Sequence, residues 1–367
     1  MLFPNQVLGG KIHLAHPGWF YAILFLASLV GVLVLTPLLA KFALFKDIVD
    51  KPGMHKIHRR DKPLLGGLGL FLCFAGIILV ALPLDDKLIS LVAATVILTV
   101  TGLIDDIYDL KPLYKVFGQA AAAVIVVLWN AHLFRFMIEY FADFFLPAGV
   151  VLFLIIGWLV LMINAFNMID GMDGLAAGTA AIIFLAMALL SAIEGGTPNV
   201  HAVQLIGAGA CLGFLVFNFN PAKVFMGDTG SMLLGFILAT THLFTIKYPF
   251  DAQLVLGSMF IFAYPALDVG YAMYRRLRKR SPMLKADKGH IHHVFLSLGY
   301  SVRKTALIIY GANIIFALLA VVLLSVDIPS PSLLIIWIIT ALGVITAFAK
   351  LTALSEANGL DKAGPGS

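Results

Sequence analysis

The chain is poor in charge: Lys, Arg, Asp and Glu make up 12% of its 367 residues, whereas 61% are hydrophobic. A soluble domain of average composition carries roughly a quarter charged residues, so this composition excludes an ordinary water-soluble protein. A hydrocarbon core about 30 Å thick is crossed by about 20 apolar residues in helical form. The long apolar runs therefore predict an all-α, polytopic integral membrane protein.

Cysteine is also scarce. The two that occur, Cys73 and Cys211, fall inside apolar runs, where neither a disulfide framework nor a zinc site is expected. The chain shows no repeat or inverted half-to-half pattern, and no stretch between the apolar runs is long enough to fold alone. We therefore expect a single transmembrane domain over residues 1–367, with 355–367 as a flexible tail or cloning remnant.

Eleven apolar segments predict about eleven transmembrane helices. The first lacks a small-residue cleavage site and is followed by Lys41 and Lys46, which predicts a retained helix instead of a signal peptide. The predicted spans are residues 19–40, 65–84, 88–104, 116–134, 149–167, 175–193, 201–219, 230–247, 253–274, 305–326 and 332–350.

The basic residues lie mostly on one side of these spans. The connections after spans 1, 3, 5, 7 and 9, with the C-terminal tail, hold all but four of the 25 Lys and Arg; the exceptions are Lys11, Lys87, Arg135 and Lys247. Cytoplasmic loops are enriched in these residues, so the N-terminus is predicted outside and the C-terminus in the cytoplasm. The same bias accounts for the net charge of +5 and argues for no nucleic-acid partner.

Polar motifs cluster on the predicted cytoplasmic side. The outer connections also carry acids, but without a comparable grouping of Asn, Gly and His. Five consecutive cytoplasmic connections contain DKPGMHKIHRRDKPLLGG (50–67), DDIYDLKPLYK (105–115), NAFNMIDGMDGL (164–175), VFMGDTGS (224–231) and KADKGHIHH (285–293). This one-sided distribution indicates a composite site at the membrane surface.

The DDIYDL motif predicts a site for a cation. A helical continuation of the third span places Asp105 and Asp109 on one face, with Asp106 about 100° further round. Neighbouring carboxylates repel, and a hard, oxygen-seeking ion such as Mg²⁺ neutralises them. The alternative is a solvated helix end, which Lys111 and Lys115 disfavour because they supply charges suited to phosphate.

In NAFNMIDGMDGL, polar residues recur every three positions at Asn164, Asn167, Asp170 and Asp173, which on a helix forms one drifting stripe. Glycines then predict a tight turn, after which the next span begins with free backbone N–H groups available to an anion. The alternative is a plain Asn/Asp/Gly turn. Two asparagines within the apolar end are more than such a turn requires, and polar residues at membrane depth are functional candidates.

The remaining two motifs are individually weaker. Asp228 stands between two glycines, in a setting suited to phosphate or metal but also to a plain turn. His290, His292 and His293 lack the second ligand pair of a zinc site, so we expect their imidazoles to bind sugar hydroxyls or phosphate oxygens. His58 is open to either a surface or a site role.

Asp268 lies inside the ninth span, about 10 Å from its end at 1.5 Å per residue. A carboxylate at that depth requires a partner. It belongs either to the site or to a network that pairs helices, and the latter interpretation is preferred.

These motifs, in this order on one side of about eleven spans, resemble the polyprenyl-phosphate N-acetylhexosamine-1-phosphate transferases. The resemblance covers residues from about 50 to 300. The DKP…H…P..GG arrangement and the HIHH segment are similar to the WecA and TagO branch, which moves GlcNAc-1-phosphate from UDP-GlcNAc onto undecaprenyl phosphate. The branch that uses UDP-MurNAc-pentapeptide has three consecutive histidines, from which HIHH departs.

The resemblance implies an enzyme with a defined set of roles. Asp228 and Asn167 would hold Mg²⁺, with Mn²⁺ as a substitute, on the donor pyrophosphate; Asp105 and Asp106 would lie near the acceptor phosphate. Whether Asp105 is a base or only positions the acceptor stays open. The substrate-binding residues would be Lys115, Asn164, Asp170, Asp173, His58, His290, His292 and His293.

The implied setting is the bacterial cytoplasmic (inner) membrane, with the active site on its cytoplasmic face. The product, undecaprenyl-pyrophosphoryl-GlcNAc, would begin a cell-surface polysaccharide. A homodimer is left open. The alternatives are the same fold with UDP-MurNAc-pentapeptide or another UDP-N-acetylhexosamine as donor, and a transporter or ion channel. Transporters tend to place their site near the midplane, between repeated halves, which this chain lacks.

We predict that Asp228→Ala and Asp106→Ala each abolish turnover, because phosphoryl transfer depends on electrostatic stabilisation and alignment. Asp251→Ala, on the predicted outer side, should retain turnover. Release of UMP by each purified variant measures its turnover. A fully active Asp228→Ala protein would contradict the metal assignment.

Overall fold

The computed structural model describes residues 17–51, 61–143, 145–246, 251–278, 280, 289–326 and 328–357. His58 and residues 358–367 of the predicted tail lie outside this set. The described chain is a bundle of α-helices with one short hairpin, β1 (Val49–Asp50) and β2 (Lys62–Pro63). The helices are α1 Gly18–Phe45, α2 Gly66–Ala81, α3 Asp86–Tyr108, α4 Pro112–Trp129, α5 Ala131–Ala142, α6 Ala148–Ile169, α7 Leu175–Ile193, α8 Pro198–Asn218, α9 Gly227–Thr245, α10 Ala252–Ser258, α11 Ala263–Arg278, α12 Ile291–Ser297, α13 Val302–Ser325 and α14 Ser330–Ala357.

All eleven predicted spans coincide with helical segments, and the all-α membrane-protein prediction is confirmed. Within the described part of the chain, nine helices are long and apolar enough to cross a membrane, with α10 to α11 taken as one segment. Helix α2 is apolar but shorter. The number of crossings and the orientation stay predictions.

Helix α9 lies at the centre of the bundle. Every residue from Thr229 to Thr245 is buried, and α3, α6, α2, α7 and α8 pack around it. Its sequence is rich in Gly, Ala, Ser and Thr, the small residues that let helix backbones approach closely in membranes. The core of the protein therefore forms around one helix, and the N-terminal end of that helix carries the GDTGS motif.

The glycines of the PLLGG segment join α2 to the start of α9. Gly66 N donates to the carbonyl of Phe225 at 3.1 Å, and Gly67 N donates to that of Met226 at 2.9 Å. A Cβ added to Gly67 would lie 2.2 Å from the backbone nitrogen of Gly230. Only glycine permits this approach, so the glycine pair has a structural role in seating the GDTGS segment.

Two predicted spans differ in detail from the helices observed. The span 116–134 stops earlier, since α4 ends at Trp129 and a separate helix, α5, follows. The side-chain amide of Asn130 donates to Val126 O at 2.9 Å and to Ser90 Oγ at 2.7 Å. Side-chain bonding to the last helical carbonyls competes with continuation of the helix.

The span 253–274 is interrupted. A turn of 3₁₀-helix, Met259–Phe262, separates α10 from α11. Pro265 explains the change, because proline has no N–H and its ring clashes with the carbonyl four residues earlier. A 3₁₀ turn satisfies the backbone with shorter-range bonds at such a point.

Gly67→Ala should lower the free energy of unfolding of the detergent-solubilised protein by about 1–3 kcal/mol, the usual cost of overpacking a buried contact. Its melting temperature should therefore fall. Gly76→Ala in the same helix is the matched control. A Cβ there meets nothing within 4 Å, and alanine is the better helix former by about 1 kcal/mol, so its melting temperature should stay or rise. Equal melting temperatures for the two variants would contradict the close approach.

Candidate active site

The candidate site centres on an ion-pair cluster between three helices. Lys115, in the first turns of α4, lies with its Nζ 2.5 Å from Asp105 Oδ2 and 2.7 Å from Asp228 Oδ2. Asp105 is in the last turn of α3 and is buried, and Asp228 is in the first turn of α9. One ammonium therefore bridges carboxylates 123 positions apart in the sequence, which brings the DDIYDLKPLYK and FMGDTGS motifs together.

Asp106 does not share that cluster; its carboxylate binds the N-terminus of α9. Its Oδ1 accepts from Asp228 N at 2.7 Å, and its Oδ2 accepts from Thr229 N at 3.2 Å and Thr229 Oγ1 at 2.6 Å. The first N–H groups of a helix have no partner within the helix, so Asp106 supplies acceptors from another helix. Gly227, at φ 66°, turns the chain into this arrangement, which a side chain would strain.

The two asparagines of α6 differ in position. Asn167 donates to Ser231 Oγ at 3.1 Å, and it also hydrogen-bonds the carboxylate of Asp228. Asn164 lies one turn deeper, where its amide donates to Gln119 Oε1 at 2.7 Å and to a backbone carbonyl of its own helix. Asn167 is thus beside the ion-pair cluster, whereas Asn164 joins α6 to α4; its predicted substrate contact stays a prediction.

The acidic turn, residues 170–174, follows α6. Asp170 ends that helix, and burial together with the charges of Asp228, Asp106 and Asp173 raises its pKa well above the ordinary value. Burial and neighbouring carboxylates both disfavour the charged form of this side chain. A bound cation or a protonated carboxyl would offset this effect.

Asp173 is tied to the loop before α9. Its Oδ2 accepts from Asn220 Nδ2 and from Ala222 N, each at 2.9 Å. Buried Asn218 makes a second link, accepting from Gly174 N at 3.1 Å and donating to Val224 O at 3.0 Å. Asp173 therefore fixes the acidic turn against the segment that leads to GDTGS, and its predicted nucleotide contact stays a prediction.

The histidines lie at the start of α12, beside the acidic turn. His290 pairs through Nδ1 with Asp268 Oδ2 at 2.7 Å. His292 is fully buried, its ring is parallel to that of His290 with centroids 5.9 Å apart, and its centroid is 4.2 Å from that of His293. A Cβ added to Gly171 would lie 2.9 Å from His292 Nε2. The structure therefore brings the HIHH and NAFNMIDGMDGL motifs into contact.

The His292 ring is neutral at cellular pH. Burial, with a smaller contribution from neighbouring His293, lowers its pKa to about 3. Neither of its ring nitrogens has a hydrogen-bond partner among the residues that the structure describes. An unpaired buried imidazole is costly, and it offers one donor and one acceptor to a bound molecule.

Several residues of the site carried no assigned role in the sequence. They include Thr229 and Ser231 in GDTGS, Gln119 on α4 and Asn218 at the end of α8. All four are buried polar residues. Thr229, Ser231 and Asn218 lie at or near helix ends, which is the signal that identifies them, whereas Gln119 lies within α4. Asp268 joins α11 to the start of α12 through a predicted site histidine, His290, so its contacts agree with both interpretations of this residue.

Comparison with known proteins decides the family. The model of glycosyl transferase family 4 matches residues 88–246. A probable undecaprenyl-phosphate N-acetylglucosaminyl 1-phosphate transferase of Bacillus subtilis (strain 168) is 33% identical over 318 residues, which are 86% of this chain and 88% of the relative. The chain belongs to glycosyl transferase family 4.

Two further relatives extend the match across bacteria. A decaprenyl-phosphate N-acetylglucosaminephosphotransferase of Mycobacterium tuberculosis (strain CDC 1551 / Oshkosh) is 33% identical over 305 residues, 71% of this chain and 72% of the relative. An undecaprenyl-phosphate alpha-N-acetylglucosaminyl 1-phosphate transferase of Escherichia coli (strain K12) is 30% identical over 285 residues, which are 75% of this chain and 76% of the relative. The predicted family resemblance is confirmed. Membership of this family excludes the alternative of a transporter or ion channel.

Asp106→Ala and Asp228→Ala should differ in stability although both lose turnover. Removing Asp106 leaves the donors at the start of α9 without acceptors, at a cost of about 1–3 kcal/mol. Removing Asp228 leaves the Lys115–Asp105 pair in place, so the melting temperature should hardly change. Thermal unfolding of both variants in detergent checks this; an Asp106→Ala protein as stable as the wild type would contradict the capping role.

Proposed function

We propose that the protein transfers GlcNAc-1-phosphate from UDP-GlcNAc to undecaprenyl phosphate, giving undecaprenyl-pyrophosphoryl-GlcNAc and UMP. The observation that carries the proposal is the Asp105–Lys115–Asp228 cluster at the N-terminal end of α9. Support also comes from family membership and from relatives named for N-acetylglucosamine 1-phosphate transfer to a polyprenyl phosphate.

The reaction balances as a single phosphoryl exchange. A phosphate oxygen of the acceptor forms a bond to the sugar-linked phosphorus of the donor, and the bond from that phosphorus to the bridging oxygen breaks. UMP leaves with the electron pair of that bond. Nothing is oxidised or reduced, so the protein needs to supply alignment and charge stabilisation, which carry most of the rate in phosphoryl transfers.

The cluster is suited to bringing two anions together. Lys115 provides a point positive charge for phosphate oxygens, the usual use of lysine at such sites. Asp105, buried and held by Lys115, positions the acceptor beside it. A phosphate monoester has a second pKa near 6, so the acceptor is mostly dianionic at pH 7 and Asp105 serves as a base only for the protonated minority.

The residues around Asp228 fit a divalent cation. Asp228 and Asn167 each carry a hard oxygen ligand, and the Asn167 amide hydrogen-bonds the Asp228 carboxylate. Burial, together with the charges of Asp228, Asp106 and Asp173, raises the pKa of nearby Asp170. In the described part of the chain no three acidic, histidine or cysteine side chains form a complete ligand set. Mg²⁺ typically takes one or two carboxylates plus substrate phosphates, which this arrangement matches.

When bound, Mg²⁺ would supply positive charge to the donor pyrophosphate, with Mn²⁺ as a substitute. Asp228 and Asn167 would hold it. Asp106 contributes by fixing the backbone of Asp228, and Ser231 by hydrogen-bonding Asn167.

The donor would lie along the acidic turn. Asp170 and Asp173 line that turn, and the neutral ring of His292 faces it from α12, with nitrogens that no described residue pairs. An uncharged imidazole suits sugar hydroxyls, because it can both donate and accept. His290 and His293 flank it, and the three together form the part of the site proposed to read the sugar.

The proposed location is the cytoplasmic membrane of a bacterium, with the site on the cytoplasmic face. The motif-bearing ends of α3, α4, α6 and α9 meet at one end of the bundle, and the connections at that end hold most of the Lys and Arg. Such a bias marks the cytoplasmic side. The product there would begin a cell-surface polysaccharide.

The test is turnover by the purified protein with undecaprenyl phosphate, Mg²⁺ and one UDP-sugar at a time. UDP-GlcNAc should yield UMP and lipid-linked GlcNAc in equal amounts. EDTA should stop the reaction, and Mg²⁺ or Mn²⁺ should restore it, because the acidic site needs a cation to accept a pyrophosphate.

Asp228→Ala protein assayed in parallel controls for contaminating enzymes. Product with only the pentapeptide donor would overturn the assignment of the sugar. Full activity in EDTA would contradict the proposed requirement for a divalent cation. The absence of a lipid product with every donor would contradict the proposed phosphoryl transfer.

A further inference from the structure

Asp268 is a fully buried carboxylate on α11 that binds the start of α12 with both oxygens. Its Oδ2 lies 2.7 Å from His290 Nδ1, and its Oδ1 accepts from Ile291 N at 2.7 Å. A carboxylate that only paired membrane helices would not need to contact consecutive residues of the HIHH motif. Its two contacts fix both the orientation of the His290 ring and the point where α12 begins.

The pairing sets the tautomer of His290. An ionised carboxylate has acceptors and no donor, so the Nδ1 that faces Asp268 carries the hydrogen. The opposite nitrogen, Nε2, is then the one that can hydrogen-bond a ligand. Carboxylates act in this way on the histidines of many functional sites, where the hydrogen bond at one nitrogen decides the chemistry of the other.

The histidines that Asp268 orients lie against the acidic turn. The His290 and His292 rings are parallel within 6°, and His292 Nε2 approaches Gly171. His292 is fully buried, and within the described part of the chain both of its ring nitrogens are unpaired. A small rotation of α12 would therefore move these ring nitrogens relative to Asp170 and Asp173.

We propose that Asp268 is a positioning residue for the donor substrate: it holds His290 in the Nδ1–H tautomer and fixes α12 so that the histidines face the acidic turn. The proposal rests on the proposed function, because the donor is taken to be the UDP-sugar. Asp268 itself lies behind His290 and acts through it.

Asp268→Asn separates this role from packing. The Ile291 N–H still requires an acceptor, so the asparagine oxygen takes that contact and its NH₂ faces His290. The amide then donates to Nδ1, which must become the acceptor, and the hydrogen moves to Nε2. Shape and helix cap are preserved while the tautomer is inverted.

The first readout is spectroscopic. In protein labelled with ¹⁵N-histidine, the signal lost in His290→Gln identifies His290 among the ten histidines. Its Nδ1 should be protonated in the wild type and unprotonated in Asp268→Asn. The protonation state of His290 Nδ1 in the wild type tests the proposal even if the variant fails to fold.

The second readout is kinetic. In Asp268→Asn, kcat/KM for UDP-GlcNAc should fall about 10- to 100-fold, the usual effect of removing the partner of a functional histidine. The kcat/KM for undecaprenyl phosphate at saturating donor should fall less. A loss of folded protein would lower both by the same factor.

Asp251→Asn is the matched control. Asp251 caps α10 through Gln253 N at 2.8 Å and Leu254 N at 3.0 Å. It is exposed, and its hydrogen bonds among the described residues involve no histidine. It should leave both kinetic constants and the His290 signal unchanged.

An unprotonated Nδ1 in the wild type, an unchanged signal in Asp268→Asn, or equal losses for both substrates would overturn the positioning role. Failure of the proposed function is distinct, because the wild type would then make no lipid-linked GlcNAc whatever the tautomer of His290.

Discussion

The carboxylate of Asp106 at the N-terminus of α9 is the interaction around which the site is arranged. It takes hydrogen bonds from the backbone of Asp228 and from both the backbone and hydroxyl of Thr229. Buried backbone donors left without acceptors are costly in an apolar bundle. The contact therefore fixes the start of the central helix and, with it, the place where the Asp228 side chain meets Lys115.

The site has more negative charge than its lysine can balance. Lys115 contacts two carboxylates, Asp105 and Asp228. Burial raises the pKa of nearby Asp170, and the charges of Asp228, Asp106 and Asp173 raise it further. Holding such a cluster in place takes rigid neighbours, and the hydrogen bonds of Asp173 and Asn218 to the loop before α9 provide them. The arrangement suits a reaction in which cations and phosphates arrive together.

Two carboxylates adjacent in the sequence thus have different tasks. Asp105 contacts Lys115 through Oδ2 and accepts from Leu110 N through Oδ1, whereas Asp106 has its oxygens committed to α9. A similar division separates Asn167, beside Asp228, from Asn164, which bonds Gln119. Neighbouring positions on a helix point about 100° apart, so one can serve the reaction while the next serves the fold.

Composition and hydrophobic pattern predicted the helices, and the one-sided distribution of polar motifs predicted that DDIYDL, NAFNMIDGMDGL, GDTGS and HIHH would assemble. Those signals are local, since each depends on residues within one span or one connection. The breaks at Asn130 and Pro265 were harder to place, because a hydrophobic run does not reveal where side-chain bonding or a proline interrupts its helix.

What the sequence by itself determined is which residues reach the same end of the bundle. Only the tertiary structure decided how they pair: Asp106 with the start of α9, Asp173 with the loop at Asn220, and Asp268 with His290. Each of these partners lies more than 20 positions away along the chain. Such a choice is made by the packing of one helix against another, and no periodicity within a single helix encodes it.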